Sequence, residues 1–413
     1  MHLMSIPRHR LETTFADYAR IAGSLIGGGE RADITTRFER ALAEYVGCKH
    51  AIVVASGRLG MHLILEQLGL ENGCEAIVPA FNLFAVVERF RALGITPRFC
   101  DIERHTLNID PDCAEALVSP RTKVLLVTHM FGHPADMEAL QALSRKHDLV
   151  LLEDCAHALG TRVGSRCLGT FGKAALFSFS VLKLVTTFGG GMVTTNDDEL
   201  AAGIRAALAK RTTGEPARGG WKKAATGLVM DLGTRALPFS LGAWPMLRLM
   251  RMVRPDVQRR MMTESPQVER SLDVTRAGTL HPFQARLGLS QLARCDEFIA
   301  ARRSVGAWLD AELADIPQVR LLDHDRFGTH NGLYYGILAE RAEELCEYLF
   351  RRGIDCETSE YRNCAEMEIY REFAADCPVS CEVQRSILRL PNHPGLSRRS
   401  AARIAGAIRR FYA

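Results

Sequence analysis

Residues 149–160 read LVLLEDCAHALG. Four branched apolar residues lead into an acidic pair, Glu153 and Asp154, and then into a turn of small residues. A short apolar run closed by turn residues fits a strand buried on both faces, as in a parallel sheet with helices on each side. Ligands of open α/β sheets bind outside the carboxyl ends of such strands. Asp154 therefore stands where a carboxylate can meet a ligand, although by itself it would serve equally well as the cap of the AHAL turn.

The surrounding sequence repeats the pattern. AIVVAS (51–56), EAIVP (75–79), KVLLVTHM (123–130), KAALFSFS (173–180) and GMVTTN (191–196) read as strands. LGMHLILEQLGL (59–70) and ADMEALQALSRKHD (135–148) read as helices between them, the second with apolar residues at 137, 140 and 143. Alternating strands and helices predict an α/β fold with a mainly parallel sheet covered on both faces. From 284 the texture changes to one long helical segment, QARLGLSQLARCDEFIAARRSVGAWLDAELADI. GLYYGILAE, AEELCEYLFRRGI, RSILRLPNHPGL and a last helix, SRRSAARIAGAIRRFYA, then predict a small α+β C-terminal domain. The expected division is a large domain over 1–283 and a linking helix with the small domain over 284–413. A stretch at about 211–270 follows neither period and reads as an insert.

With 413 residues, 47% hydrophobic and 24% charged, the chain is long enough for one large or two moderate cores. A net charge of +4 is small for that length, so the overall charge does not suggest a nucleic-acid binder, and no nucleic-acid partner is expected. There is no run of about 18 uncharged apolar residues, so no spanning helix is expected, and MHLMSIPRHRLETTF lacks the apolar core of a signal peptide. Twelve cysteines without a C-x-x-C pair read as reduced thiols of a cytoplasmic protein. Cys364, Cys377 and Cys381 fit no common zinc spacing, and no metal site is expected.

Residues 177–191, FSFSVLKLVTTFGGG, set Lys183 alone among apolar and hydroxyl side chains and end on three glycines. A lysine at a strand end is most often a solvated surface residue. A Schiff-base lysine instead needs a partly desolvated site that lowers its pKa. The neighbours favour the second reading. Asp154 can hold a cationic ring nitrogen protonated, which an electron-withdrawing pyridine cofactor requires. ASGRLGMHL (55–63) passes from strand to helix through Ser56, Gly57 and Arg58, where outward-pointing N–H groups favour a phosphate. Ser178 can add a hydroxyl to the same group. Phosphate loop, strand-end carboxylate, hydroxyl strand and lysine before glycines, in that order, are the parts that hold pyridoxal phosphate.

These ordered motifs resemble the DegT/DnrJ/StrS family of pyridoxal-phosphate aminotransferases, which act mainly on nucleotide-linked keto-sugars. The likeness runs from FERALAEYVGCKHAIVVASG through EAIVPAF, HDLVLLEDCAHALG and GTFGKAALFSFSVLKLVTTFGGGMVTTNDDEL to FQARLGLSQLARCDEFIAARR and LRLPNHPGLS. It implies a fold-type I transferase architecture and a homodimer. Lys183 becomes the Schiff-base lysine and proton shuttle, and Asp154 the partner of the pyridine nitrogen. His157 would face the cofactor's phenolic oxygen, and Ser178 with Ser56, Gly57 and Arg58 its phosphate. The ring-stacking position falls at Leu83 in PAFNLFAV, with Phe81 and Phe84 beside it, and Phe81 is counted among the cofactor-binding residues. Relatives with histidine in place of the lysine dehydrate instead, which Lys183 argues against.

Three departures stand out. Arg58 replaces the usual Thr, and a guanidinium can still bind phosphate in a bidentate manner. Ala277 and Thr279 stand where the family carries Asn and Arg, the Asn reaching the partner subunit's cofactor. CETSEYRNCAEMEIY (356–370) replaces an aromatic, proline-rich segment of the sugar pocket.

The insert is basic. Between 210 and 260 there are eleven Lys and Arg against three Asp and Glu. In LPFSLGAWPMLRLMRMV and the arginine that follows it, Phe239 and Trp244 accompany Arg248, Arg251 and Arg254, which drift by about 60° per step around a helix. An apolar face edged with arginines and an interfacial Trp suits an in-plane helix on an anionic membrane, while packing on the chain's own body is the plain alternative.

The expected function is transfer of an amino group from an amino acid, glutamate by resemblance, to the keto group of a nucleotide- or lipid-linked sugar-type acceptor. The expected location is cytoplasmic, peripheral on the membrane's inner face if the insert binds lipid. A different pyridoxal-phosphate reaction on a non-sugar substrate and a non-catalytic membrane-associated scaffold are the alternatives. A scaffold would need neither Lys183 nor Asp154.

Overall fold

The computed structural model describes residues 4–26, 31–211, 220–253, 280–358 and 360–413. Seven strands form its central sheet: β1 (His50–Val54), β2 (Glu75–Pro79), β3 (Thr96–Cys100), β4 (Thr122–Thr128), β5 (Val150–Asp154), β6 (Ala174–Ser178) and β7 (Gly191–Thr195). Their order is β1-β7-β6-β5-β4-β2-β3. Only β7 runs against its neighbours; the other pairings are parallel. β3 was not legible because Pro97 and Arg98 interrupt its apolar run. It is an edge strand paired with β2 alone, a position where a proline costs little.

Strand alternation sorts the core onto two faces. On β4, Leu125 and Val127 join Phe38, Leu42 and Phe177 on one side, under helices Arg31–Val46 and Met137–Lys146. Val124 and Leu126 join Ile64, Phe90 and Ile204 on the other, under helices Gly57–Gln67, Phe84–Ala92 and Asp198–Arg211. Each such fully buried side chain contributes about 1.5–3 kcal/mol. The sheet is therefore held as a rigid platform, with the ends of β4, β5 and β6 fixed side by side.

A second, antiparallel sheet is built from β8 (Val319–Leu321), β9 (Tyr335–Ala339), β10 (Glu357–Thr358) and β11 (Ile387–Leu390), in the order β8-β9-β11-β10. Helices Cys295–Leu313, Ala342–Arg351 and Arg398–Tyr412 share its apolar core. The last helix starts where Ser397 accepts a hydrogen bond from Ser400 N–H. The long helical segment after 281 is in fact two helices, Pro282–Leu292 and Cys295–Leu313. At the break, the Ala293 and Arg294 N–H groups bond to the carbonyls of Leu289 and Gln291, and the Arg294 side chain turns back to Asp17 at 2.8 Å.

The described part of the insert is helical: Gly220–Thr234, Ala236–Pro238, a π-turn at Phe239–Ala243, and Trp244–Val253. Phe239 and Trp244 do not face solvent. They are 4% and 6% exposed, and the Trp244 ring lies 4.3 Å from that of Phe350. Arg251 also turns inward, stacking 3.6 Å over Phe350 and pairing with Glu347 at 2.9 Å. The expected interfacial Trp is thus a core residue, because the chain's own body supplies its aromatic partner. Arg248 is exposed, and Arg254, Ala277 and Thr279 lie outside the described residues.

Candidate active site

Alternation separates the two acids at the end of β5. Glu153 points into the core, where its carboxylate accepts from the N–H groups of Gly169, Phe171 and Gly172 at 2.7–2.8 Å and meets His129 Nε2 at 3.3 Å. It fastens the turn that precedes β6. Asp154 faces the other way, its Oδ1 accepting from Ala156 N–H at 3.0 Å. Burial pushes its carboxyl above the ordinary range, against the pull of the Ala156 N–H and the charges of Lys183 and His129. A buried carboxylate held this lightly favours a further cationic N–H donor.

Ser56 is the N-cap of helix Gly57–Gln67, its hydroxyl accepting from Leu59 N–H at 3.2 Å. Across from the helix start, Gly191 opens β7 opposite Ser178 in register. A Cβ on Gly191 would come 2.6 Å from the Phe177 carbonyl and 3.2 Å from the Gly57 nitrogen. Only glycine lets β7 approach the helix start so closely, which keeps Gly57, Ser178 and the N-terminal N–H groups together. Ser56, Gly57, Arg58 and Ser178 are all half-buried.

Lys183 sits half-buried in the loop between β6 and β7, its N–H bonded to the Ser180 carbonyl at 3.1 Å. That loop is pinned from helix Pro282–Leu292. Gln284 Nε2 donates to the carbonyls of Thr187 (2.8 Å) and Gly189 (3.1 Å), and Gln291 Oε1 accepts from Thr186 N–H (2.8 Å). Gln284 Oε1 accepts from His281 N–H, so the buried amide is satisfied on both sides.

His157 closes the site. Burial above all, then the charge of Lys183, holds its imidazole well below the ordinary pKa, so the ring is neutral. Its Nε2 lies 2.8 Å from Tyr361 Oη, and its carbonyl accepts from Asn331 Nδ2 at 2.7 Å. Phe131, Tyr334 and Tyr361 surround the ring at centroid distances of 5.1–6.5 Å. Arg389 lies above the same aromatics, 4.7 Å from Tyr334 and 5.9 Å from Tyr361, and bonds Glu357. Its Nε and Nη1 have no hydrogen-bond partner among the described residues, although the side chain is buried. Phe81 is fully buried and tilts against Tyr361 at 6.3 Å, whereas Leu83 remains half-buried at the start of helix Phe84–Ala92.

The profile of the DegT/DnrJ/EryC1/StrS aminotransferase family matches residues 27–409. The chain belongs to that family. Like its relatives it is a pyridoxal-phosphate-dependent aminotransferase of fold type I. It is 30% identical over 380 residues to the GDP-perosamine synthase of Caulobacter vibrioides, covering 90% of this chain and 88% of that one. Among solved structures it is similar to DesI, determined in the presence of its TDP-sugar product, with 26% identity, coverage of 99% and 93%, and a TM-score of 0.77. DesV of S. venezuelae is 28% identical, with coverage of 96% and 94% and a TM-score of 0.76.

Within this aminotransferase the structure brings Lys183 within electrostatic reach of both Asp154 and His157, and sets Gly57, which follows Ser56, against Ser178. The residues present fit the cofactor of the family. The lightly held Asp154 suits a pyridinium N–H, and the glycine-cleared helix start suits a phosphate. Sequence reasoning missed Gln284, Asn331, Tyr361 and Arg389. Gln284 and Arg389 carried a signal, as the Gln of the FQA motif and the Arg of LRLPNHPGLS, and Tyr361 lies in the CETSEYRNCAEMEIY stretch.

Proposed function

We propose that this aminotransferase moves the amino group of glutamate to the keto group of a nucleotide-linked sugar, working as a homodimer. The carrying observation is the buried, singly hydrogen-bonded Asp154 carboxylate at the end of β5, with Lys183 among the charges that act on it and with a helix start cleared by Gly191 beside Ser178. The nucleotide-sugar relatives support the acceptor class.

Pyridoxal phosphate, when bound, supplies an electron-withdrawing ring that takes up the electron pair released at the donor's α-carbon. Lys183 Nζ would hold it and, once displaced by the donor amine, carry the proton taken from that carbon. Asp154 keeps the ring nitrogen protonated, so the electron pull persists. His157, fixed by Tyr361 and Asn331, orients the ring's oxygen substituent. Ser178 and the Ser56–Arg58 turn hold the phosphate. Leu83 retains surface that fully buried Phe81 lacks, which makes Leu83 the better candidate to cover the ring. Arg389, with its Nε and Nη1 nitrogens unpartnered among the described residues, is the cation proposed to take the donor's carboxylate.

The test is to incubate the cofactor-loaded protein with glutamate and GDP- or TDP-linked keto-sugars, measuring 2-oxoglutarate and the sugar amine. Equal amounts of both, absent with Lys183→Ala, are expected. No 2-oxoglutarate with any acceptor would overturn the reading.

A further inference from the structure

Among the described residues eleven large apolar side chains are exposed, and nine of them lie between 221 and 252. They are ordered rather than scattered. On helix Gly220–Thr234, Trp221, Leu228, Val229 and Leu232 fall within an arc of about 100°. Ala224, Gly227 and Asp231 fall within about 60° on the neighbouring side and are buried. On helix Trp244–Val253, Met246, Leu249 and Met252 fall within about 120°. Leu237 and Leu241 continue the face across the junction, the latter 72% exposed.

The inner side of this segment is fastened to the body. Arg235 donates to the Thr13 carbonyl at 3.0 Å, and Ser240 Oγ accepts from Ser5 N–H at 2.8 Å. Trp244 packs on Phe350, and Arg251 pairs with Glu347. The apolar face is therefore held pointing outward. Its exposed charges are all positive: Lys222 and Arg248 border the two arcs, and Lys223 follows Lys222. The one acid of the segment, Asp231, is fully buried and bonded to Arg235 at 2.9 Å.

From this we propose that the 220–253 face docks on an anionic lipid bilayer, lying in the plane of the headgroups. A broad apolar surface edged only with cations is complementary to acyl chains beneath anionic headgroups. Two copies meeting through the same patch would set its cations against each other, as a two-fold interface places like against like. Nucleic acid would leave the apolar side chains in water. No described helix is long and apolar enough to cross a membrane, so contact is in-plane. The anchor is Trp221, 65% exposed, with the leucines and methionines. It is not Trp244.

Co-sedimentation of the full chain tests this, using vesicles of phosphatidylcholine alone and of equimolar phosphatidylcholine and phosphatidylglycerol. Binding to the anionic vesicles, weakened by salt, is expected. Leu241→Glu with Leu249→Glu should lower the affinity at least about tenfold, and Lys222→Glu with Arg248→Glu should abolish the preference for anionic lipid. No binding to anionic vesicles at low salt would overturn the proposal. So would a Leu241→Glu, Leu249→Glu protein that falls from dimer to monomer by light scattering, which would assign the face to a second copy.

Discussion

Tyr361 Oη stands 2.8 Å from His157 Nε2, joining two buried residues 204 positions apart in the chain. Burial pushes the Tyr361 hydroxyl well above its ordinary pKa, so it keeps its proton. The bond sets the orientation of the imidazole from the C-terminal part of the chain. Tyr361→Phe keeps the packing and removes that one bond. The expected result is a shifted visible band of bound pyridoxal phosphate and a rate of amine transfer lower by about tenfold, with thermal stability nearly unchanged. An unaltered band and rate would reduce the contact to packing.

Arg389 is assigned to the donor by its unpartnered Nε and Nη1. Arg389→Lys retains the charge beside Glu357 but loses the fork geometry. KM for glutamate should rise about tenfold or more while KM for the keto-sugar and the cofactor spectrum hold. Equal changes in both KM values would point to a general disturbance of the aromatic cluster instead.

Gln284 secures the Lys183 loop through the Thr187 and Gly189 carbonyls. Gln284→Glu is nearly isosteric but replaces the donor by a carboxylate facing two carbonyls. Denaturant titration should show a loss of about 2–4 kcal/mol, and slower capture of pyridoxal phosphate should accompany it. An unchanged midpoint and capture rate would show that the loop is held by other contacts.

Acid should destabilise the fold through its buried imidazoles. Burial lowers the pKa of His393 to about 3, and those of His9, His133 and His157 well below the ordinary value. The unfolded chain takes up these protons near pH 6.5 while the folded chain does not, so stability is present above about pH 6.5 and falls as pH drops below it. His393 alone accounts for roughly 2 kcal/mol between pH 7.5 and pH 5. Urea unfolding of wild type and His393→Gln at the two pH values measures this; an equal acid loss in both would exclude His393 as a source.

The sheet was legible because its strands are apolar runs with turn residues between them, and Asp154 and Lys183 because each stands conspicuously in such a run. β3 was hidden by Pro97, which an edge strand tolerates. The roles of Tyr361 and Asn331 were not legible: both rest on contacts to His157 made across more than 150 residues, and no local spacing encodes those. Trp244 was misread for a related reason. A helical wheel shows which residues share a face, but Phe350, far along the chain, decides that Trp244 faces inward.

The central claim is that Lys183 carries the cofactor beside Asp154. Borohydride reduction of the pyridoxal-phosphate-loaded protein, followed by peptide mapping, tests it most directly. The account requires the pyridoxyl group on Lys183, and its absence when glutamate is added before reduction. Attachment to another lysine, or labelling that glutamate leaves untouched, would contradict it.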